Sequence, residues 1–488
     1  MQAGTGVCFG LRQWGRMIAL AGAVVVVSAS AIAGEIPTPL EERLDRALKA
    51  DSLGSARVAA LVVGEGGEAV LYAREPDRLL LPASNMKLLT ALAVLDTLGP
   101  SHRFETVVGA DRAPGASGVV GEISVRGGGD PALNSEDWWR LAADLRRDGL
   151  VRVEGDIVVT GAHFDSEYWH PAWGEVSSRA YHAPVAGLSA NYGSFFVRVS
   201  PGAAAGDPLD VEIDPPLDYL VVENTGTTAG AKAKPGLRIT RGKAGEASET
   251  VRVSGSLRVG DSPRSFARSV RDPVLYAGAL FKLQLEALGI EVGGRVRRGE
   301  AEHPVELLRH AGRPLSEIVR LFMKYSNNAM AESLVKAMGA AAGESQGSWS
   351  SGLAAMRSRL EDLEVLGSGG QIVDGSGLAA ENRLSPRILV AVLTRAAQSF
   401  RYGPEFVAAL PIGGRDGTLE ERAGAARDRL RAKTGLLGAQ RAVALSGFAQ
   451  RADGETVIFS LLVNGYRGDV ETAMSAVDDW VKALIQVD

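Results

Sequence analysis

The hydrophobic pattern near the two ends of the chain predicts two β-hairpins. In each hairpin, two apolar segments flank a short segment that contains glycine. The paired segments are residues 57–63 with 69–73 and residues 442–449 with 456–463. Apolar runs on either side of a glycine-containing turn are typical of antiparallel strands. We therefore expect both ends of the chain to supply strands of one antiparallel sheet, and the helical spacing of residues 470–485 predicts a helix that covers it.

Between the hairpins the pattern changes twice, which predicts an insertion. An apolar helix at residues 85–98 gives way to short strands separated by Gly, Pro and Asp, and helical periodicity then returns. One helical segment, residues 136–147, interrupts the short strands, and the helical segments after them are residues 273–288, 315–338 and 350–363. The predicted organisation is an α+β domain in two parts, residues 34–100 and 268–488, split by a β-rich region at 101–267. A nested subdomain is expected near residues 201–250, which are poor in aromatic side chains.

The first 33 residues have the pattern of a secretory signal peptide. Two arginines precede an apolar run at residues 17–27, and an Ala-x-Ala site ends at Ala33. This order predicts export to the periplasm or to the outer face of the cytoplasmic membrane, with an uncleaved N-terminal anchor as the alternative. The single cysteine, Cys8, lies in the segment that is removed. The mature protein then has neither a disulfide nor a catalytic thiol.

Composition narrows the classes of function. The chain has 488 residues, of which 45% are hydrophobic and 23% charged, with a formal net charge of −5. These ordinary values disfavour extended disorder and multiple membrane spans, and they give no reason to expect a nucleic-acid partner. The basic residues are unusual, because 43 of the 53 are Arg and only 10 are Lys. Arg stays protonated, whereas a buried Lys can act as a base. Each of the few Lys is therefore a candidate for a position that needs a titratable amine.

Ser84 and Lys87 open the predicted apolar helix in an S-x-x-K spacing. Side chains at i and i+3 share one helical face, so the Lys87 amine can reach the Ser84 hydroxyl. A helix N-terminus and burial both disfavour a positive charge, which lowers the pKa of a lysine. A neutral amine beside a serine activates that serine as a nucleophile. The spacing alone is a weak signal, because about two such matches occur by chance in a chain of this length.

Two further motifs follow in the second part of the chain. Ser326 and Asn328 form an S-x-N sequence before a predicted helix, where an ordinary helix cap is the alternative interpretation. Lys433, Thr434 and Gly435 form a K-T-G sequence before an apolar strand, where an ordinary turn is the alternative. Glycine lets a ligand backbone approach a strand edge, and the Lys and Thr side chains offer donors to a carboxylate.

The ordered set S-x-x-K, S-x-N and K-T-G resembles the signature of penicillin-binding proteins and related β-lactamases. The separation of Ser84 from Ser326, 242 residues (326 minus 84), makes the chain similar to the class C low-molecular-mass penicillin-binding proteins. This is the D-alanyl-D-alanine carboxypeptidase/endopeptidase family typified by penicillin-binding protein 4, in which a large insertion divides these motifs. The resemblance extends from about residue 40 to the end of the chain. Segments that also resemble the family are 128–131, 155–157, 164–165, 183–184, 374–378 and 416–419.

The resemblance implies a penicillin-recognising serine transpeptidase/β-lactamase-like domain, an antiparallel sheet flanked by helices and split by the β-rich insertion. It implies that Ser84 attacks the carbonyl of the penultimate D-Ala of a stem peptide and that Lys87 accepts the proton. Ser326 relays a proton to the leaving group, and Asn328 holds the amide of the acyl part. The backbone N–H of Ser84 is implied to form half of an oxyanion hole, where donors stabilise charge that develops in the transition state.

The K-T-G segment is implied to bind the terminal carboxylate through Lys433 and Thr434. After Gly435 the family commonly has Ser or Thr, but this chain has Leu436, whose N–H is the other implied oxyanion donor and whose side chain offers no hydroxyl. Two alanines also stand where the family often has Ser-Arg after the D-G-S-G-L segment. We expect Arg383, three residues further on, to compensate in recognising a charged stem-peptide side chain.

These observations predict an exported serine DD-peptidase that removes terminal D-Ala from peptidoglycan, cleaves its D-Ala crosslinks, or both, and that β-lactams inhibit. Two alternatives stay open: a β-lactamase, which the large insertion argues against, and a non-catalytic peptidoglycan-binding protein, which the intact motifs argue against. No metal or cofactor is expected, because the six His are scattered and H-E-x-x-H does not occur. The sequence leaves open the oligomeric state and a peripheral association with the membrane.

Overall fold

The computed structural model describes residues 39–51, 53–245, 247–300, 304–367 and 369–486. The predicted signal peptide, residues 1–33, lies outside these ranges. Across the same ranges, no helix combines the length and the apolar character that a membrane span requires.

The described part of the chain alternates between helical and strand-rich stretches. Its helices, in chain order, are α1 (Pro39–Ala47), α2 (Met86–Leu98), α3 (Ser135–Arg147), α4 (Pro273–Ala287), α5 (Leu315–Tyr325), α6 (Asn328–Ala341), α7 (Trp349–Asp362), α8 (Pro386–Ala397), α9 (Gly403–Ala409) and α10 (Val470–Ile485). Its strands are β1 (Arg57–Gly64), β2 (Val70–Arg74), β3 (Arg103–Ala110), β4 (Val119–Val120), β5 (Ile123–Gly127), β6 (Arg152–Val153), β7 (Ile157–Thr160), β8 (Ser194–Ser200), β9 (Asp210–Asp214), β10 (Leu220–Asn224), β11 (Thr227–Ala229), β12 (Gly236–Ala244), β13 (Glu249–Arg258), β14 (Arg264–Ser269), β15 (Glu291–Val292), β16 (Val296–Arg298), β17 (Val305–Pro314), β18 (Leu430–Leu437), β19 (Ala442–Gln450) and β20 (Thr456–Asn464).

Strands from both ends of the chain form one five-stranded sheet in the order β18-β19-β20-β1-β2. All neighbours in it are antiparallel, and β1 lies against β20 with Leu61 opposite Ser460. Both predicted hairpins, β1–β2 and β19–β20, are confirmed, as is the single sheet that joins the two ends. β18 is an edge strand, so one side of its backbone is open to other elements.

The two faces of this sheet pack against separate cores. Helices α2 and α8 cover one face, and α1 and α10 cover the other. Alternate side chains of β1 enter the two cores: Ala59, Leu61 and Val63 on the first face, and Val58, Ala60 and Val62 on the second. Successive strand side chains point to opposite faces, and because both faces are covered, β1 reads as a continuous apolar run. Helix α10 confirms the covering helix predicted at residues 470–485.

Helix α2 lies inside the first of these cores rather than on its surface. Every residue from Met86 to Leu95 is buried, which is typical of a helix that is apolar on all sides. Helices α5 and α6 pack beside it, and the chain turns sharply between them at Ser326, whose φ of 55° is left-handed. The predicted helix at 85–98 and the predicted start of a new helix after Ser326 are both confirmed.

The strand-rich middle of the chain builds a second sheet with its own core. The order is β16-β7-β5-β3-β17, and α3 and α4 pack on it through Trp138 and Phe281. Strand β17 pairs antiparallel with β3, so residues well beyond 267 pack with the inserted region. On these contacts we propose that the insertion ends near Pro314 instead of at residue 267. The nested subdomain near residues 201–250 stays a prediction; β9 to β12 lie there in two small sheets.

Candidate active site

Ser84 and Lys87 stand where a tight turn runs into helix α2. Ser84 belongs to a single helical turn at Ala83–Asn85, and Ala83 before it has a left-handed φ of 47°. A left-handed non-glycine residue is strained, and such strain is concentrated at functional sites. One turn further on, Lys87 is fully buried, and its Nζ lies 3.1 Å from Ser84 Oγ. The predicted contact between the amine and the hydroxyl is present.

The Lys87 amine has three oxygen neighbours. Besides Ser84 Oγ, these are Asn328 Oδ1 and the Ser376 carbonyl oxygen, each 2.7 Å from Nζ. Burial lowers the pKa of Lys87 to about 7, although the negative charges of Asp374 and Glu332 oppose the shift. A neutral amine has two N–H donors and one lone pair. When Asn328 and Ser376 accept the two donors, the lone pair faces the Ser84 hydroxyl.

Ser326 and Asn328 occupy the junction between α5 and α6. Ser326 ends α5, the Asn327 side chain accepts from Met330 N at 3.0 Å as the cap of α6, and Asn328 is the first helical residue. The ordinary cap is therefore present at Asn327, which leaves the Asn328 side chain free for the site. Its Oδ1 accepts from Lys87, and its Nδ2 donates to the Tyr181 carbonyl at 3.0 Å.

Lys433 lies on edge strand β18 and is fully buried. Its Nζ donates to Ser326 Oγ and to the Thr434 carbonyl, both at 2.9 Å. Burial, with a smaller contribution from the charge of Lys87, holds the pKa of Lys433 well below its usual value. The K-T-G segment is thus part of a strand and not an ordinary turn. Two buried amines therefore stand at the site, one beside Ser84 and the other beside Ser326.

The residues after Lys433 shape the wall of the site. The Thr434 hydroxyl donates to Thr418 Oγ1 at 2.7 Å. A Cβ on Gly435 would lie 2.8 Å from the Pro82 carbonyl oxygen and 2.9 Å from Asn85 Nδ2, so only glycine lets β18 approach the Ser84 turn this closely. The Leu436 side chain is 44% exposed.

Five of the predicted residues form two hydrogen-bonded groups, Ser84 with Lys87 and Asn328, and Ser326 with Lys433. Arg383 joins neither group through a hydrogen bond. Its guanidinium donates instead to the carbonyls of Ala380 and Asn382, both at 2.7 Å. Its compensating role stays a prediction.

Two buried carboxyl groups behind Lys87 were not predicted as site residues. Asp374 begins the D-G-S-G-L segment, and Glu332 lies on α6 four residues after Asn328, which puts both α6 side chains on one helical face. Burial and the neighbouring Asp374 raise the pKa of Glu332. A glutamate four residues after the asparagine of the S-x-N motif, in a helix that is mostly Ala, Met, Leu and Val, was the available sequence signal. In the described residues, no group of three or more His, Cys, Asp or Glu side chains is placed to bind a metal ion.

Comparisons with known proteins identify the family to which the chain is similar. The model of the D-Ala-D-Ala carboxypeptidase 3 (S13) family matches residues 40–484. A D-alanyl-D-alanine carboxypeptidase of an Actinomadura species is 35% identical over 458 residues, which cover 90% of this chain and 83% of that protein. The D-alanyl-D-alanine carboxypeptidase DacB of Haemophilus influenzae is 27% identical over 403 residues, which cover 80% of this chain and 82% of that protein.

A solved structure has the same fold. The crystal structure of penicillin-binding protein 4 from Haemophilus influenzae matches with a TM-score of 0.77 at 24% identity, covering 90% of this chain and 98% of that chain. A structure of the same protein complexed with a β-lactam matches with a TM-score of 0.73. These matches confirm the predicted α+β, penicillin-recognising fold class.

Proposed function

The chain belongs to the D-Ala-D-Ala carboxypeptidase 3 (S13) family, which confirms the predicted family, and we propose that it hydrolyses peptidoglycan through an acyl-enzyme on Ser84. The substrates are D-Ala-D-Ala termini of stem peptides, D-Ala crosslinks, or both. The observation that carries the proposal is the buried Lys87 amine, 3.1 Å from Ser84 Oγ and with a pKa lowered to about 7. Such an amine is a base at neutral pH.

In the acylation step, Ser84 Oγ forms a bond to the carbonyl carbon of the penultimate D-Ala, and its proton passes to Lys87 Nζ. Asn328 and the Ser376 carbonyl keep that nitrogen in place by accepting its hydrogens. The backbone N–H groups of Ser84 and Leu436 are the proposed donors to the developing oxyanion. Donors fixed in advance in this way stabilise the transition state more than the ground state.

The peptide C–N bond then breaks, and the proton that Lys87 accepted passes through Ser326 Oγ to the leaving amine, which returns Lys87 to its neutral form. Lys433 supports this role, because its Nζ lies 2.9 Å from Ser326 Oγ. A substrate carboxylate that enters beside Lys433 and Thr434 favours the protonated amine, so substrate binding and protonation of Lys433 are coupled. Water next attacks the acyl-enzyme with Lys87 again as the base, which releases the shortened peptide and regenerates the Ser84 hydroxyl.

A β-lactam enters the same reaction by acylating Ser84 through its strained amide. The β-lactam complex of the Haemophilus influenzae protein, which shares this fold, supports this part of the proposal. The signal-like residues 1–33 support export, so we place the protein in the periplasm or on the outer face of the cytoplasmic membrane. Stem peptides of peptidoglycan are its proposed partners.

The experiment that tests the function is D-Ala release from a stem pentapeptide that ends in D-Ala-D-Ala, with purified sacculi as the crosslinked substrate. We expect the mature protein to release D-Ala and to lose this activity after treatment with penicillin. Mass analysis of the sacculus products distinguishes the carboxypeptidase from the endopeptidase reaction. No release from either substrate, or rapid penicillin turnover without a stable adduct, would contradict the proposal, and the second result would indicate a β-lactamase.

The rate of acylation by penicillin is expected to rise as the pH rises through about 7. Below the Lys87 pKa, which burial lowers to about 7, the amine is protonated and cannot accept the Ser84 proton. The rate should fall about tenfold per pH unit below that value and level off above it. Acylation rates measured by stopped flow from about pH 5 to about pH 9 check this. A rate that is flat, or that falls with rising pH through this range, would contradict the assignment of Lys87 as the base.

The control for this profile is thermal stability at each pH. The Lys87 pKa lies lower in the folded than in the unfolded protein, where it is about 10.4. The unfolded chain therefore binds more protons between these values, so the Lys87 contribution makes the fold more stable as pH rises from about 7 toward 10.4. If the melting temperature stays well above the assay temperature at every pH, the lower acylation rate at low pH is caused by protonation of Lys87 and not by unfolding.

A further inference from the structure

A loop of the inserted region reaches the catalytic residues directly. In the segment 162–183, Trp173 Nε1 donates to Asp374 Oδ2 at 2.9 Å, and the Tyr181 carbonyl accepts from Asn328 at 3.0 Å. Asp165 of the same segment pairs with the buried Lys336 on α6 at 2.5 Å. Three separate contacts therefore join this loop to the elements that surround Lys87.

Asp374 fixes the loop that holds the Lys87 amine. Its carboxyl oxygens accept from three successive backbone N–H groups, at 2.7 Å from Gly377, 3.0 Å from Leu378 and 2.7 Å from Ala379. The loop so formed presents the Ser376 carbonyl to Lys87. The same loop lies against the nucleophile turn, because a Cβ on Gly377 would lie 1.9 Å from the Ala83 carbonyl oxygen.

Two tryptophans support this loop from opposite parts of the chain. Trp349 of α7 donates to Glu332 at 2.9 Å, and Glu332 accepts from the N–H of Ser376 at 2.7 Å. Trp173 of the insertion donates to Asp374 on the other side. The two indole rings meet edge to face with centroids 6.3 Å apart. The catalytic domain supplies one of the two supports, and the insertion supplies the other.

We propose that Trp173 is a positioning residue for acylation, and that the insertion completes the catalytic site by fixing, through Asp374, the carbonyl that holds the Lys87 amine. This inference rests on the proposed function, since it assigns Trp173 to the acylation step. Asp374 is fully buried and receives only donors. Trp173 is one of four donors to Asp374 Oδ2, together with the Ser376 hydroxyl and the N–H groups of Leu378 and Ala379. Removing the Trp173 donor weakens the hydrogen bonding of this buried carboxylate, and the loop that supplies the other three donors shifts to compensate.

The Trp173→Phe variant isolates the hydrogen bond, because an aromatic ring stays against the stacked His182 and the edge of Trp349. Stopped-flow labelling with a fluorescent penicillin separates the initial binding constant from the acylation rate constant. We expect the rate constant to fall about ten- to a hundredfold, the effect of a displacement on the order of 1 Å at a reacting group, with the binding constant unchanged. Trp139→Phe is the matched control, since Trp139 is a half-exposed tryptophan of the insertion, and should react as the wild type does.

The amplitude of labelling is proportional to the number of folded molecules. Partial unfolding of Trp173→Phe therefore lowers the amplitude, whereas the rate constant of the folded fraction can still be measured. Trp173→His, whose ring keeps an N–H, should recover part of the rate constant, and it replaces the Phe variant if that variant does not accumulate. A wild-type rate constant in Trp173→Phe, even with a lower melting temperature, overturns the inference. So does a change confined to the binding constant. Absence of labelling in the wild-type protein would instead overturn the proposed function.

Discussion

Ser84→Ala is expected to abolish covalent labelling by penicillin and to lower D-Ala release by at least about 10⁴-fold, because the nucleophile of the reaction is removed. The loss should be nearly complete because the neighbouring groups cannot replace the nucleophile. Lys87 and Lys433 donate to Ser84 and Ser326, and both amines are buried and hydrogen-bonded. Gel fluorescence after labelling and mass detection of released D-Ala measure the two effects.

The fold of Ser84→Ala should be intact, which makes the result interpretable. Ser84 contributes one of three contacts of Lys87, and the contacts to Asn328 and Ser376 remain. We therefore expect the melting temperature to change by little. An adduct on Ser84→Ala equal to that on the wild type would show that another residue is acylated.

Lys87→Arg is expected to slow acylation by about 10²- to 10⁴-fold, the usual contribution of a general base. Arginine keeps the positive charge and the donors of the site but cannot be deprotonated in a protein, so it cannot accept the Ser84 proton. The measurement is the acylation rate constant at saturating fluorescent penicillin. Ser84 should still be the labelled residue, but its labelling should be much slower.

The matched control for this variant is Lys482→Arg. Lys482 is an exposed lysine of α10, where the chain's general use of arginine predicts that the replacement has no effect. If Lys482→Arg is acylated at the wild-type rate while Lys87→Arg is acylated slowly, the slower rate is caused by the position of Lys87 and not by replacing a lysine with an arginine. Acylation of Lys87→Arg at the wild-type rate would remove Lys87 from the role of base.

The sequence predicted the parts of the fold that local pattern determines. The two hairpins, helix α2 and helix α10 follow from apolar spacing and turn residues within about twenty positions. Helices α1, α8 and α9 were not predicted. The pairing of β17 with β3 was also missed. It joins residues about two hundred positions apart, and the hydrophobic pattern of a strand does not indicate which distant strand it pairs with. The insertion boundary at residue 267 was predicted from a change in composition. In the structure, α4 and β17 lie beyond residue 267 but pack into the core of the inserted region.

For the active site, too, the sequence predicted the residues in local motifs and missed the residues that support them from distant segments. Scarcity of lysine directed attention to Lys87 and Lys433, which are both buried, and in the structure Lys324 is buried as well. Lys336 is a fourth buried lysine that no motif marked, and it pairs with Asp165 of the insertion. The supporting residues Glu332, Asp374 and Trp173 act through contacts between distant segments, so their roles depend on tertiary geometry that spacing along the chain does not encode.

The most direct measurement is the mass of the wild-type protein after reaction with penicillin, followed by peptide mapping. A Ser84 acyl-enzyme predicts the added mass of one intact penicillin on a single peptide, with fragmentation placing it on Ser84. An unmodified protein, or an adduct on any other residue, would contradict the proposed mechanism.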